Sequence, residues 1–204
     1  IGAPGQYTMG AFFAIMCATQ FQMPWWACLI ASMLGGAIWG LFPGLFKALF
    51  NVNEVITSIM FNWIGMYLVN LIFANTPKAL ANFWGATNSD RTADLNKANP
   101  GALIPKLGLD EAFNSPYMNI SIFIAVGLAI VMFIVLQKTT FGYELKACGA
   151  NRHAARYAGI HDRLNIVYSM AIAGGLAAAG AALYYLSGNT EFFWSTYQSL
   201  PAIG

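Results

Sequence analysis

An all-α, polytopic membrane helix bundle is the fold class this sequence predicts, and three observations carry it. Hydrophobic residues make up 58% of the 204, and charged residues only 9%. The apolar residues gather into four runs, 26–46, 55–74, 117–136 and 164–187, each close to the ~20 residues a helix needs to cross hydrocarbon. None of the four holds an interior Asp, Glu, His, Lys or Arg. The chain is read as one transmembrane domain, 1–204, with four to five spans, and as an internal stretch of something longer. It opens on Ile1, with no basic n-region or small-residue cleavage site of a signal peptide.

A fifth apolar run, 9–19, is too short to span alone and follows GAPGQ. It is either half of a truncated span or one limb of a broken one, a break at membrane depth being tolerated only where it is buried or lines a cavity. In the second run Ser32, Gly36 and Gly40 stand four apart, and the last run holds the small-residue stretch SMAIAGGLAAAGAAL. Both patterns let backbones approach closely, as small-xxx-small interfaces require.

The third run opens NVNEVITSIMFNWIGMYLVN. Asn53 is placed to cap the helix and Glu54 to sit in its first turn, where the helix dipole favours negative charge. Glu54, Ser58, Asn62, Met66 and Asn70 fall on one i, i+4 ridge, which must face other helices or water. Two readings stand: interhelical hydrogen bonds, or the polar lining of a path for a hydrophilic solute, with Glu54, Thr57, Ser58 and Asn62 as pathway residues.

Two intervals interrupt the apolar runs. Residues 75–116 carry Lys78, Arg91, Lys97 and Lys106 against Asp90, Asp94, Asp110 and Glu111, whereas 138–163 carry Lys138, Lys146, Arg152, Arg156 and Arg163 against Glu144 and Asp162. An excess of Lys and Arg near span ends stays cytoplasmic, so 138–163 is expected inside and 75–116 outside. The threading puts 47–54 at the cytoplasmic side, 1–5 at that side or at mid-membrane, and the tail 189–204 outside. Trp25, Trp26, Tyr117, Phe192, Phe193 and Trp194 are then expected in the outer interfacial belt, and SLPAIG at the end is read as the start of a re-entrant segment.

Within GANRHAARYAGI, Asn151 predicts an N-cap and Gly159 a C′ residue, leaving a helix of about two turns over 152–158. Such a helix is too short to be stable alone, and Arg152 and Arg156 are like charges at i, i+4. Ala154, Ala155 and Ala158 offer a smooth surface. A docking helix whose arginines meet carboxylates of a cytoplasmic partner accounts for the caps and the alanines together.

The stretch TTFGYELKACGANRHAARYAGI resembles the cytoplasmic coupling loop of permease subunits of bacterial ABC importers, in the simple-sugar and nucleoside subfamily related to the branched-chain amino-acid permeases. NVNEVITSIMFNWIGMYLVN is similar to that subfamily's other recurrent segment, and IGAPGQYTMGAF to its N-terminal glycine-rich stretch. Here Arg152 stands where related sequences often have Pro, and Pro4 where they often have an acidic residue. The resemblance implies a dimerising bundle of roughly eight to ten helices in the bacterial inner membrane, the second permease subunit being the same or a different chain. It also implies two cytoplasmic ATPase subunits and an extracytoplasmic solute-binding protein. By match to the loop it assigns ATPase coupling to Glu144, Lys146, Gly149, Asn151, Ala154, Ala155, Gly159 and Ile160; Arg152 and Arg156 join them from the charge argument. ATP and Mg would lie on the partner ATPases, with no cofactor or catalytic site in this chain.

The expected function is therefore translocation of a neutral hydrophilic solute, a nucleoside or simple sugar. The alternatives are an ion-coupled carrier, which would usually keep ionisable groups in its spans, and a membrane enzyme, for which His153 and His161 lack HExxH spacing. Net charge +2 without an aromatic-laced basic face gives no nucleic-acid platform. Cys17, Cys28 and Cys148 show no CxxC and read as small apolar fillers. The NIS triplet at Asn119 lies at the edge of a run and is read as an accidental sequon.

Overall fold

The computed structural model describes residues 2–75, 92, 94–106, 119–188 and 192. Lys78, Asp90, Arg91, Asp110, Glu111, Tyr117, Phe193, Trp194 and the SLPAIG stretch lie outside the described residues. Among the described residues the helices are α1 (Ala3–Thr19), α2 (Trp25–Phe50), α3 (Glu54–Asn75), α4 (Leu95–Ala98), α5 (Ser121–Lys138), α6 (Thr140–Ala150), α7 (Arg152–Tyr157) and α8 (Asp162–Tyr185). Four are long and apolar enough to cross a membrane: α2, α3 over Glu54–Phe73, α5 and α8.

α1 forms the centre of the bundle. Its 17 residues reach about 26 Å, and Ala11, Ala14, Ile15 and Ala18 are fully enclosed by α2, α3 and α8. It begins at Ala3 with Gly2 as N-cap, so APGQ belongs to the helix and the run expected from residue 9 gains nearly two turns. Pro4 is harmless in the first turn, where no intrahelical acceptor awaits its missing N–H.

The small-residue stripes meet as their spacing demands. A Cβ added to Gly36 would lie 2.5 Å from the Gly174 carbonyl oxygen, and one on Gly40 2.5 Å from that of Met170, so α2 and α8 touch backbone to backbone. At the same seam Ser32 Oγ stands 2.8 Å from the carbonyl oxygens of both Gly10 and Ala178. Its hydroxyl donates to one at a time, and α1, α2 and α8 converge on it.

Local capping follows the sequence. The Val55 N–H donates to Asn53 Oδ1 at 3.0 Å, opening α3, and α2 ends on Asn51 in the left-handed region at φ 54°. Asn119 Oδ1 accepts the Ser121 N–H at 3.1 Å ahead of α5. Asn119 is 2% exposed, which suits a cap and not a glycosylation site.

Gly2, Asn51, Glu54 and Asp162 mark one end of the bundle. At the opposite end, residues 94–106 fold over α1, α2 and α8: Asn99 Nδ2 donates to the Ala18 carbonyl at 3.0 Å, and the Ile104 N–H to that of Leu186 at 3.0 Å. Phe192, expected in the interfacial belt, is instead buried against Phe73 and Tyr185, each ring centroid 5.5 Å away. The Thr92 N–H donates to its carbonyl at 3.0 Å and holds it there. No residue of α5 is buried among the described residues, so this apolar helix shows all its faces to the surroundings.

Candidate functional site

Two features stand at the end marked by Asp162: the segment α6–α7, and a cavity between α1, α2, α3 and α8. In α7, Asn151 Oδ1 accepts the N–H groups of His153 at 3.0 Å and Ala154 at 3.1 Å. The helix closes with the Gly159 N–H on the Arg156 carbonyl and the Ile160 N–H on that of Ala155, both 3.1 Å. Gly159 sits at φ +82°, the left-handed position this Schellman pattern needs. Both caps expected from GANRHAARYAGI are thus present.

The arginines behave differently from the expectation. Arg152 Nε lies 2.6 Å from Asp162 Oδ2, and Arg156 Nη2 lies 3.4 Å from Asp162 Oδ1. Asp162 is only 5% exposed. The like-charge pair is therefore held by a carboxylate of this same chain, which offsets their repulsion by charge-assisted contacts. What α7 turns outward is Tyr157, 94% exposed, with His153, Ala154 and Ala158. Ala155, expected on a smooth docking surface, is buried and seats the helix on the bundle.

α6 was not anticipated. Thr139 Oγ1 accepts the Gly142 N–H at 3.1 Å and starts it, and Phe141 meets Tyr168 edge to face at 6.2 Å. Asn165 Nδ2 donates to Glu144 Oε2 at 3.1 Å, and Lys146 Nζ to Gln137 Oε1 at 2.7 Å. A Cβ on Gly149 would meet nothing within 4 Å. A second cleft, of about 340 Å³, separates α7 from the end of α2 and is lined by Asn51, Arg152, His153, Arg156 and Arg163 among others.

The middle of the polar ridge of α3 faces inward: Ser58, Asn62 and Met66 are buried, as is Thr57 beside them, whereas Glu54 is exposed and Asn70 half-buried. Their hydroxyls and amides have different duties. Asn62 Oδ1 accepts the Gly5 N–H at 3.0 Å, satisfying one of the orphan donors in the first turn of α1. Thr57 Oγ1 donates to the Asn53 carbonyl at 2.9 Å. Ser58 and Glu54, by contrast, line a cavity of about 360 Å³ together with Gln6, Pro43, Met170 and Ala173. Glu54 carries Lys47 at 3.4 Å, so the wall is polar but locally neutral.

Gln6 is the lining residue that sequence reasoning missed. It is buried, and among the described residues its side-chain amide makes no hydrogen bond. The available signal was an uncharged amide in the first turns of a largely apolar helix.

Four apolar helices, a polar cavity and a capped helix standing off one end describe a polytopic membrane protein. The chain belongs to the family described as branched-chain amino acid transport system / permease component, which it matches over residues 1–204. It is similar to the guanosine ABC transporter permease protein NupP of Bacillus subtilis, 32% identical over 187 residues, covering 90% of this chain and 51% of NupP. The nucleoside ABC transporter permease protein NupB of Lactococcus lactis is 34% identical over 192 residues, covering 90% and 50%. The glucose ABC transporter permease protein TsgB13 of Haloferax volcanii is 27% identical over 188 residues, covering 88% and 48%. The chain thus spans about half the length of these relatives. No solved structure matches it. Family and apolar helices together make this a multi-pass protein of the bacterial inner membrane.

Proposed function

We propose that this chain contributes the translocation pathway of an ATP-driven importer for a nucleoside. Cytoplasmic ATPase subunits, which bind ATP and Mg, would act on it through α6 and α7. An extracytoplasmic solute-binding protein would deliver the solute, and a second permease subunit would complete the pathway.

The observation that carries this reading is the cavity of about 360 Å³. Its lining combines the Gln6 amide, the Ser58 hydroxyl and the Lys47-paired Glu54, hydrogen-bonding groups without net charge, as suits a neutral polyhydroxylated solute. The names of the two relatives above 30% identity favour a nucleoside over a sugar. The coupling residues are Glu144, Lys146, Gly149, Asn151, Arg152, Ala154, Ala155, Arg156, Gly159 and Ile160. Glu54 and Ser58 lie along the path with Gln6, while Thr57 and Asn62 shape the helices around it.

The test is uptake into proteoliposomes holding the full-length permease, its ATPases and its binding protein. Guanosine uptake that needs ATP, is blocked by vanadate and survives a protonophore is the expected result. Uptake driven by an ion gradient without ATP overturns this reading in favour of an ion-coupled carrier.

A further inference from the structure

The first turn of α8 holds both halves of the 140–157 segment. Asp162 binds Arg152 and Arg156 of α7 through its two oxygens, at 2.6 and 3.4 Å. Asn165, one turn on and also buried, donates to Glu144 of α6 at 3.1 Å. Neither grip is local: ten residues separate Arg152 from Asp162 and 21 separate Glu144 from Asn165.

The same α8 continues unbroken to Met170 and Ala173, which wall the cavity. Ala173 stands eleven residues beyond Asp162 in the sequence, about 16 Å along the axis and within about 20° of the same helix face. A helix over that distance is stiff, whereas the 158–161 connection between α7 and α8 contains the left-handed Gly159. Backbone continuity alone would let α7 swivel about that glycine. The Asp162 carboxylate removes this freedom by fixing α7 to α8 at two points.

We propose that Asp162 is the positioning residue that converts displacement of α7 into displacement of the cavity wall. It touches no solute and no nucleotide; it acts through Arg152 and Arg156. This assignment rests on the ATP-driven reading above. It also gives Arg152, which replaces the Pro often found there in resembling sequences, a duty that proline could not perform.

The test uses the full importer with Ala173→Cys as a reporter, in a background where Cys17, Cys28, Cys148 and any other cysteine of the full-length subunits are alanine. A permeant maleimide is applied with and without vanadate trapping, so no knowledge of the solute is needed. In the parent the labelling rate changes about threefold or more on trapping. In Asp162→Asn the ratio falls to about one, and in Asp162→Glu, which keeps the carboxylate, it stays near the parent. A parental ratio in Asp162→Asn, or an equal loss in Asp162→Glu, overturns the assignment. If Asp162→Asn does not assemble, Arg152→Gln with Arg156→Gln gives the same readout from the other side, loss supporting and retention overturning it. A parent whose labelling does not respond to trapping overturns the ATP-driven reading itself, and this assignment with it.

Discussion

Asn62 Oδ1 accepts the backbone N–H of Gly5 at 3.0 Å, tying the third helix to the first turn of the central one. A Cβ on Gly5 would come within 2.8 Å of the Asn62 Cα, so the contact is close as well as polar. Asn62→Leu removes the acceptor and crowds the seam. The expected result is a loss of about 0.6 kcal/mol or more, read as a lower unfolding midpoint, with the KM of the transported solute within about twofold. A KM shift without loss of stability would return Asn62 to the pathway.

Gln6 gives the opposite expectation, because its amide faces the cavity and holds no protein partner among the described residues. If the cavity takes the solute as proposed, Gln6→Ala raises its KM by about two- to tenfold, the worth of one neutral hydrogen bond, while the amount of folded permease stays unchanged.

Gly36 and Gly127 form a matched pair. Gly36→Val drives a side chain into the Gly174 carbonyl and Ala178 and should cost about 1–3 kcal/mol, seen as reduced folded protein in detergent. Gly127→Ala on α5 meets nothing within 4 Å and should leave thermal stability equal or slightly raised.

Gly159→Ala imposes a side chain at φ +82°, a strain of about 1 kcal/mol. Faster amide exchange at Gly159 and Ile160, whose N–H groups close α7, is the expected signature. Gly149→Ala, in open space within α6, should not accelerate it.

Tyr157 is almost fully exposed at the tip of α7 and makes no contact that holds the fold. If this face docks on the ATPases, Tyr157→Ala weakens their co-purification by about tenfold and leaves the unfolding midpoint of the isolated permease in place. Undiminished assembly would move the docking surface elsewhere on 138–163.

Local signals in the sequence proved readable to the residue. Asn53, Asn151 and Gly159 cap helices because capping involves neighbours two to five positions away. Small-residue spacing likewise foretold close backbone approach on α2 and on α8, but not that these two helices meet each other. What stayed hidden depended on distant partners. α6 carries two glycines, Gly142 and Gly149, and becomes helical where Phe141 and Glu144 dock on Tyr168 and Asn165 of a later helix. The two arginines read as charges awaiting another protein because Asp162 lies outside the quoted motif, across a turn. The ridge on α3 was legible as a period, but its division into Asn62 as fastener and Ser58 as cavity wall needed the position of α1.

The Ser32 hydroxyl bears on how the molecule is made. One of its two carbonyl partners, Gly10, precedes it by 22 residues, and the other, Ala178, follows it by 146. During synthesis α1 and α2 can pair early, yet the groove along Ser32, Gly36 and Gly40 waits for α8 to enter the bilayer. Among the described helices this seam is therefore the last to close, and a nascent chain halted before α8 presents a groove that other small-faced helices could occupy.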